Sequence, residues 1–359
     1  MGLSVDIKLS LEGFRLEVMH EFELGGITAL FGASGAGKSL LLRVISGLES
    51  GAAGRVSFEG EAWQGARFVP TAKRGIGYVF QDARLFEHLD VAGNLRFAAK
   101  RSGSDGFEAV VKTLDLQPLL GRQVAVLSGG EKQRVAMGRT LLTNPRLLLM
   151  DEPLAALDHA RKTRLLPYIA RLPEAFGLPV IYVTHSVEEV TRLADRMVVL
   201  AGGKVLAAGG VADTLARLDI AEASGKFEAG SVVRAVVTGQ DVQFRLTEMK
   251  VAGQVLSMPA SAVEVGVELR LRIRARDVAI ALGRPEGLSI RNVLRGQILE
   301  IVQETETAFA ELLLDIGGGQ RLRARITRAS VAELGFAVGD TVFALVKSVS
   351  FDRRALPKG

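Results

Sequence analysis

The chain of 359 residues contains no cysteine, which excludes both a disulfide framework and a thiolate metal site. It has one Trp and three Tyr, and aromatics make up only 6% of it. No apolar run approaches the roughly 18–20 residues of a membrane-spanning helix. The opening stretch MGLSVDIKLSLEGF carries Asp6 and Lys8 where a secretory signal needs an apolar core. A strong charge of either sign is also missing: 45 Lys and Arg stand against 40 Asp and Glu, a mild net +5 for a nucleic-acid binder. What is present is 48% hydrophobic and 24% charged residues, a globular balance over a length that suits two cores.

Residues 3–24 alternate apolar and polar around Glu12–Gly13, which predicts an antiparallel hairpin. GITALFG (26–32) is a continuous apolar run of the kind buried in a parallel sheet, and SLLLRVISGL follows as a helix ending near Gly47. RLLLMDE (146–152) and PVIYVTHS (179–186) are further apolar runs with polar ends, and RMVVLAGGKVLAAG (196–209) reads as two strands around Gly-Gly. Residues 85–145 have a helical pattern. Strands alternating with helices predict an α/β fold with a parallel sheet, whose carboxyl ends bring the polar residues to one edge. From about residue 230 short alternating segments take over: VVRAVV, VQFRL, LRLRIRARDVAIAL, AELLLDI, RLRARI and VFALVKSVSF. They predict a small all-β barrel or sandwich, with residues 213–232 as linker. VEVGVELRLRIRARDVAI (263–280) resembles LGFAVGDTVFALVKSVSF (334–351), which suggests an internal duplication.

GASGAGKS (32–39) fits the phosphate-binding pattern G-x-x-x-x-G-K-[ST] between an apolar strand and a helix. Gly32, Ala33, Ser34, Gly35, Ala36 and Gly37 offer main-chain N–H groups to phosphates at a helix start. Lys38 then reaches the β- and γ-phosphates and Ser39 a Mg²⁺ ion. Asp151, at the end of LLLMD, suits the Mg²⁺ shell, and Glu152 beside it can polarise a water. Read alone, the acid pair also fits a helix cap, the weaker of the two readings.

LSGGEKQ (127–133) is where the chain resembles the ATP-binding cassette (ABC) family, whose signature it matches. The resemblance runs from residue 1 to about 232 and implies a P-loop NTPase fold with a helical subdomain, with ATP and Mg²⁺. It implies that Ser128, Gly129, Gly130 and Glu131 face the γ-phosphate of a nucleotide held by a second subunit, so that a homodimer makes two sites. It assigns Gln81 to Mg²⁺ and water, His185 to the γ-phosphate as the switch histidine, and Asp158 to the D-loop AALD, where Ala155 stands in place of the commoner serine. Phe14 either stacks on adenine or packs a core face with Leu16 and Val18.

A single cassette without fused spans, followed by a β-rich region, resembles the ATPase subunit of a bacterial importer. ARLFEHLDVAGNL (83–95), with Leu85, Phe86 and Leu89, would then grip a membrane subunit, or else pack the helical subdomain. Residues 288–353 resemble molbindin-like (Mop) domains, which open on Ser-Ala-Arg-Asn. Here Ser289, Arg291 and Asn292 are kept and Ile290 replaces the alanine. IGYVFQDARLF is also more similar to molybdate importers than to sulfate or sugar ones.

The expected organisation is an ABC ATPase over 1–232, a linker and β-rich segment with a candidate first repeat over 233–287, and a Mop domain of OB-like, all-β type over 288–355. The expected assembly is a homodimer with two permease subunits, peripheral on the cytoplasmic face of the inner membrane and served indirectly by a substrate-binding protein. Molybdate at Ser289, Arg291 and Asn292 competes with tungstate, with sulfate, and with a C-terminal domain used only for subunit association. A nucleic-acid-binding ATPase is the rival from another class. Residues 286–359 argue against it with ten Lys/Arg, nine Asp/Glu and no Tyr or Trp, although RLRAR (321–325) aligns three arginines.

Overall fold

A computed structural model describes residues 2–218, 229–260, 263–303, 306–347 and 353–355. The chain forms two compact units, Met1–Ala208 and Gly209–Gly359. The division falls ahead of residue 232, and residues 213–216 of the expected linker belong to a helix, Val211–Ala216, that packs on the strand following it. Residues 219–228 of that linker lie outside the described residues, and 230–232 are the start of the next strand.

The first unit opens with the hairpin β1 (Gly2–Leu11) and β2 (Phe14–Glu23), paired in register from Gly2–Glu23 to Leu11–Phe14. Next come β3 (Ile27–Phe31), α1 (Lys38–Ser46), β4 (Ala53–Phe58), β5 (Glu61–Gln64) and β6 (Ile76–Val79). The helical stretch is α2 (Val91–Ser102), α3 (Phe107–Thr113) and α4 (Gly129–Leu141). It returns to β7 (Leu147–Asp151), α5 (His159–Phe176), β8 (Val180–Thr184), α6 (Val187–Leu193) and β9 (Arg196–Ala201). β10 (Lys204–Gly210) runs across the division into the second unit.

Two sheets result, β2-β1-β4-β5 and β10-β9-β3-β8-β7-β6. In the second, β3 lies parallel between β8 and β9, and β7 parallel between β6 and β8. Every residue of β3 and β8 is buried, which is why both read as unbroken apolar runs rather than alternations. α1 stops at Gly47, whose left-handed φ of 77° lets its N–H turn back to Val44 O. A wholly buried Arg74 completes that end by donating to the carbonyls of Val44 and Ile45 at 3.0 and 2.6 Å.

In the second unit α7 (Val211–Ala216) precedes β11 (Gly230–Asp241), β12 (Leu246–Val251), β13 (Gln254–Pro259), β14 (Glu268–Arg274) and β15 (Val278–Ala281). A second series follows: β16 (Asn292–Gln303), β17 (Phe309–Asp315), β18 (Arg321–Thr327), α8 (Arg328–Leu334), β19 (Thr341–Val346) and β20 (Arg353–Ala355). The sheets are β13-β12-β11-β14-β20 and β15-β19-β16-β17-β18. Each series therefore sends its last strand into the other's sheet. Both first strands carry an irregularity at one matching place, Val237/Gly239 and Ile298/Glu300. The two series thus share one strand order; residues 348–351, the end of the second sequence segment, lie outside the described residues.

Two local expectations need correction. VQFRL is mainly a turn: Asp241 accepts from Phe244 N at 2.9 Å, and Val242 and Phe244 are exposed. The second series also includes the helix α8, started by Thr327 accepting from Ser330 N at 3.0 Å.

Candidate functional site

The carboxyl ends of β3, β7 and β8 converge as the polar strand ends predicted. Gly35 and Gly37 take left-handed φ values of 80° and 98°, which wrap the loop ahead of α1. A side chain at Gly37 would meet the Phe14 ring at 2.9 Å, so Phe14 lies directly on the loop while packing, partly buried, against the core. Lys38 is buried, and its Nζ donates to the carbonyls of Gly32 and Ala33, both at 2.9 Å. Glu152 Oε1 stands 3.6 Å from the same nitrogen. Burial pushes the Lys38 ammonium below its ordinary pKa, and the carboxylates of Glu152 and Asp151 oppose that.

Ser39 Oγ donates to Asp151 at 2.6 Å, and the Tyr78 hydroxyl holds the other carboxylate oxygen at 2.9 Å. Burial and then Asp151 push the Tyr78 phenol well up, so it stays a donor. Gln81 is exposed and shares with Asp151 a cavity of about 340 Å³. Its main-chain oxygen is fixed by Gln133, whose amide also reaches Pro153 O at 2.6 Å and so ties the strand ends to α4. Glu152 adopts φ 42°, a left-handed conformation that costs a non-glycine residue energy and is concentrated at functional positions. Its Oε2 lies 3.3 Å from Nδ1 of His185, which is 54% exposed. Lys38, Ser39, Asp151, Glu152 and His185 thus form one cluster drawn from three strand ends.

Beneath it, Glu189 receives the Tyr182 and Thr184 hydroxyls at 2.9 and 2.7 Å and Lys162 at 3.1 Å. This buried network braces the end of β8. Nothing in the sequence singled out Glu189 or Tyr78, since each is one polar residue inside an apolar pattern.

The signature makes local bonds. Ser128 accepts from Glu131 N at 3.4 Å, and the Glu131 carboxylate accepts from Ser128 N and Oγ at 2.8 and 2.7 Å, a reciprocal cap at the start of α4. Ser128 and Gly129 are exposed while Gly130 is buried. Asp158 caps α5 by accepting from Arg161 N at 2.9 Å. Phe86 lines a groove of about 420 Å³ with Phe97 and Arg139, and its loop is held by the buried Asn94 amide. Leu85 and Leu89 are half-buried and not part of that lining.

In the second unit Ser289, Arg291 and Asn292 line a cavity of about 310 Å³ together with Ser257 and Lys347. Asn292 is buried, and its amide bridges the N–H and C=O of Ser257 at 2.8 and 3.0 Å. It therefore ties β16 to β13, which leaves Ser289, Arg291 and Lys347 as the cavity's exposed polar side chains. Lys347 follows directly on Val346, which pairs with Asn292, so the register between β16 and β19 is the signal that finds it.

The ABC transporter family matches residues 17–155, and the TOBE domain family matches 288–351. A molybdenum import ATP-binding protein ModC of Rhizobium etli is 44% identical over 98% of this chain and 100% of its own length. The ModC of Methylococcus capsulatus is 46% identical over 94% of this chain and 96% of its own. Among solved structures, cbiO1 from Clostridium perfringens, part of the ABC transporter complex cbiONQ, covers 59% of this chain and 89% of its own at TM-score 0.53 and 23% identity, a likeness of fold. Matched along nearly its whole length by relatives 44% and 46% identical, the chain belongs to the ABC transporter ATP-binding family that includes the ModC proteins.

Proposed function

We propose that the chain is the ATP-hydrolysing subunit of an ABC importer for molybdate. The observation that carries this reading is the pairing, in one chain, of the Lys38–Glu152–His185 cluster with the cavity of Ser289, Arg291 and Lys347. The first is chemistry for a phosphoanhydride. The second offers a hydroxyl and two cations, donors suited to a tetrahedral dianion.

In the nucleotide site the loop N–H groups and Lys38 bind the phosphates. Glu152 accepts a proton from the attacking water, and His185 orients the same carboxylate. Among the described residues no set of three His, Asp or Glu side chains could hold a metal alone. Ser39, Asp151 and Gln81 nevertheless fit Mg²⁺, which takes one or two carboxylates and completes its shell with phosphate oxygens and water. When bound there, Mg²⁺ neutralises charge developing on the transferred phosphate. Ser128, Gly129, Gly130 and Glu131 begin a helix with exposed donors and serve the nucleotide of a partner subunit, which makes the working unit a head-to-tail homodimer. The groove at Phe86, Phe97 and Arg139 is the docking surface for a permease subunit, which would hold the protein on the inner face of the membrane. No helix among the described residues is long and apolar enough to cross a membrane.

Calorimetry on the full chain with molybdate, tungstate and sulfate tests the cargo. Molybdate should release heat that Lys347→Ala and Ser289→Ala abolish, with sulfate clearly weaker. No heat from any of the three would leave the second unit as a subunit-association element.

A further inference from the structure

The oxyanion cavity has a counterpart in the other half of the duplication, and the two have diverged. Matching side-chain clamps on the main chain relate them. Gln254 grips the main chain of Arg295, donating to its carbonyl at 2.9 Å and accepting from its N–H at 2.7 Å. Gln320 makes the same pair of bonds to Arg234. Asn292 holds the main chain of Ser257, and Ser231 Oγ accepts from Arg323 N at 2.8 Å. One sequence offset takes Ser231 to Asn292 and Arg234 to Arg295; another takes Gln254 to Gln320 and Ser257 to Arg323. Strand pairing extends the match, because Pro259 faces Leu246 as Arg325 faces Glu311.

The walls of the open cavity formed by Leu246, Ser257 and Pro259 thus correspond to Glu311, Arg323 and Arg325. In that second position there is an ion cluster. Arg323 Nη2 lies 3.1 Å and Arg325 Nη1 3.4 Å from the two carboxylate oxygens of Glu311, and Arg323 and Glu311 are almost fully buried. The remaining terminal nitrogen of Arg323 donates to Leu215 O at 3.3 Å and Arg217 O at 3.1 Å, carbonyls at the end of α7. Such carbonyls have no partner within their own helix and attract a cation. Ala216 and Leu218 pack on Leu313 of β17 at the same spot. Arg74 closes the end of α1 by the same chemistry, and burial pushes its guanidinium down to about 10.

We propose that the repeat-related cavity is closed in this chain, with Arg323 seating the main chain that leaves α7 where the open cavity would take an oxyanion, so that each chain binds one oxyanion and is fastened to α7 through Arg323. The stoichiometry rests on the oxyanion reading of the open cavity; the fastening does not. Arg323 is a positioning residue, and hydrogen exchange on the full chain tests it. Arg323→Ser should speed exchange at 211–218 by at least about tenfold, as expected when charge-assisted hydrogen bonds are lost. β16, β17 and β19 should keep their wild-type rates. Arg323→Lys retains the charge beside Glu311 but not the planar fork, and should give an intermediate increase. Unchanged exchange at 211–218 in both variants overturns the fastening, as does an equal increase throughout the unit. Calorimetry with molybdate on the wild-type chain should give one site; two sites overturn the closed cavity. No binding would refute the oxyanion reading and leave the exchange result to decide the fastening.

Discussion

Under the function proposed above, the two units solve one problem, holding an anion, with different parts. In the first, the binding surface is main chain: a glycine-bearing loop at the start of α1, set at the edge of a parallel sheet by the buried strand β3. Only Lys38, Ser39 and the acids at the end of β7 add side-chain chemistry. In the second, the helices among the described residues, α7 and α8, have only six and seven residues, and the proposed donors are side chains on strand ends and a loop, Ser289, Arg291 and Lys347. A main-chain site tolerates little change of backbone. A side-chain site can be opened or closed by substitution, and under the proposal above the exchange of Leu246, Ser257 and Pro259 for Glu311, Arg323 and Arg325 is part of the difference between the two series.

Three substitutions probe this contrast. The largest effect is expected from Glu152→Gln, which keeps the shape of the strand end and removes the base. Hydrolysis should fall by about 10²–10⁴-fold with ATP affinity retained, as measured by steady-state turnover and nucleotide binding. Turnover at the wild-type rate would remove Glu152 from the chemistry. Asn292→Ala should cost roughly 2–4 kcal/mol in the second unit, because two main-chain groups of Ser257 lose their buried partner. Denaturant unfolding reads this, and the first unit should be unaffected.

Ser128→Ala is the smallest, about 1 kcal/mol for a lost helix cap. The Ser128 hydroxyl and N–H hold Glu131 below its ordinary 4.5. A carboxylate with a depressed folded pKa stabilises fully above the unfolded value, and that stability disappears as pH falls through the folded one. The gap in melting temperature between wild type and Ser128→Ala should therefore be full at pH 7 and shrink as the pH drops below about 4.5. A gap that stays constant to lower pH would separate Glu131 from the cap.

The sequence was most legible where function depends on local main-chain shape. GASGAGKS and the polar ends of LLLMDE and VIYVTHS each follow directly on one strand, so local pattern locates them, whereas LSGGEKQ, read by residues alone, is a helix cap and owes its role to the family resemblance. It was least legible where strands far apart meet. That Asn292 holds Ser257 depends on the register between β13 and β16, and that Tyr78 holds Asp151 depends on β6 lying beside β7. Residues 213–216 of α7 read as linker because the helix's few apolar positions, Val211, Leu215 and Ala216, have a buried face only once β11 and β18 are beside them. VQFRL alternates like a strand, yet Asp241 captures the chain in a turn through a bond that alternation does not register.

The exchange of final strands has a further consequence. Without β20, β14 would end its sheet with bare main-chain donors and acceptors; without β15, so would β19. A bare strand edge recruits another strand, so one repeat made alone would pair with a second copy by trading its last strand, a domain-swapped dimer. Fusing two copies in one chain turns that association into an internal one. Deleting either half would leave the other with an unpaired strand edge.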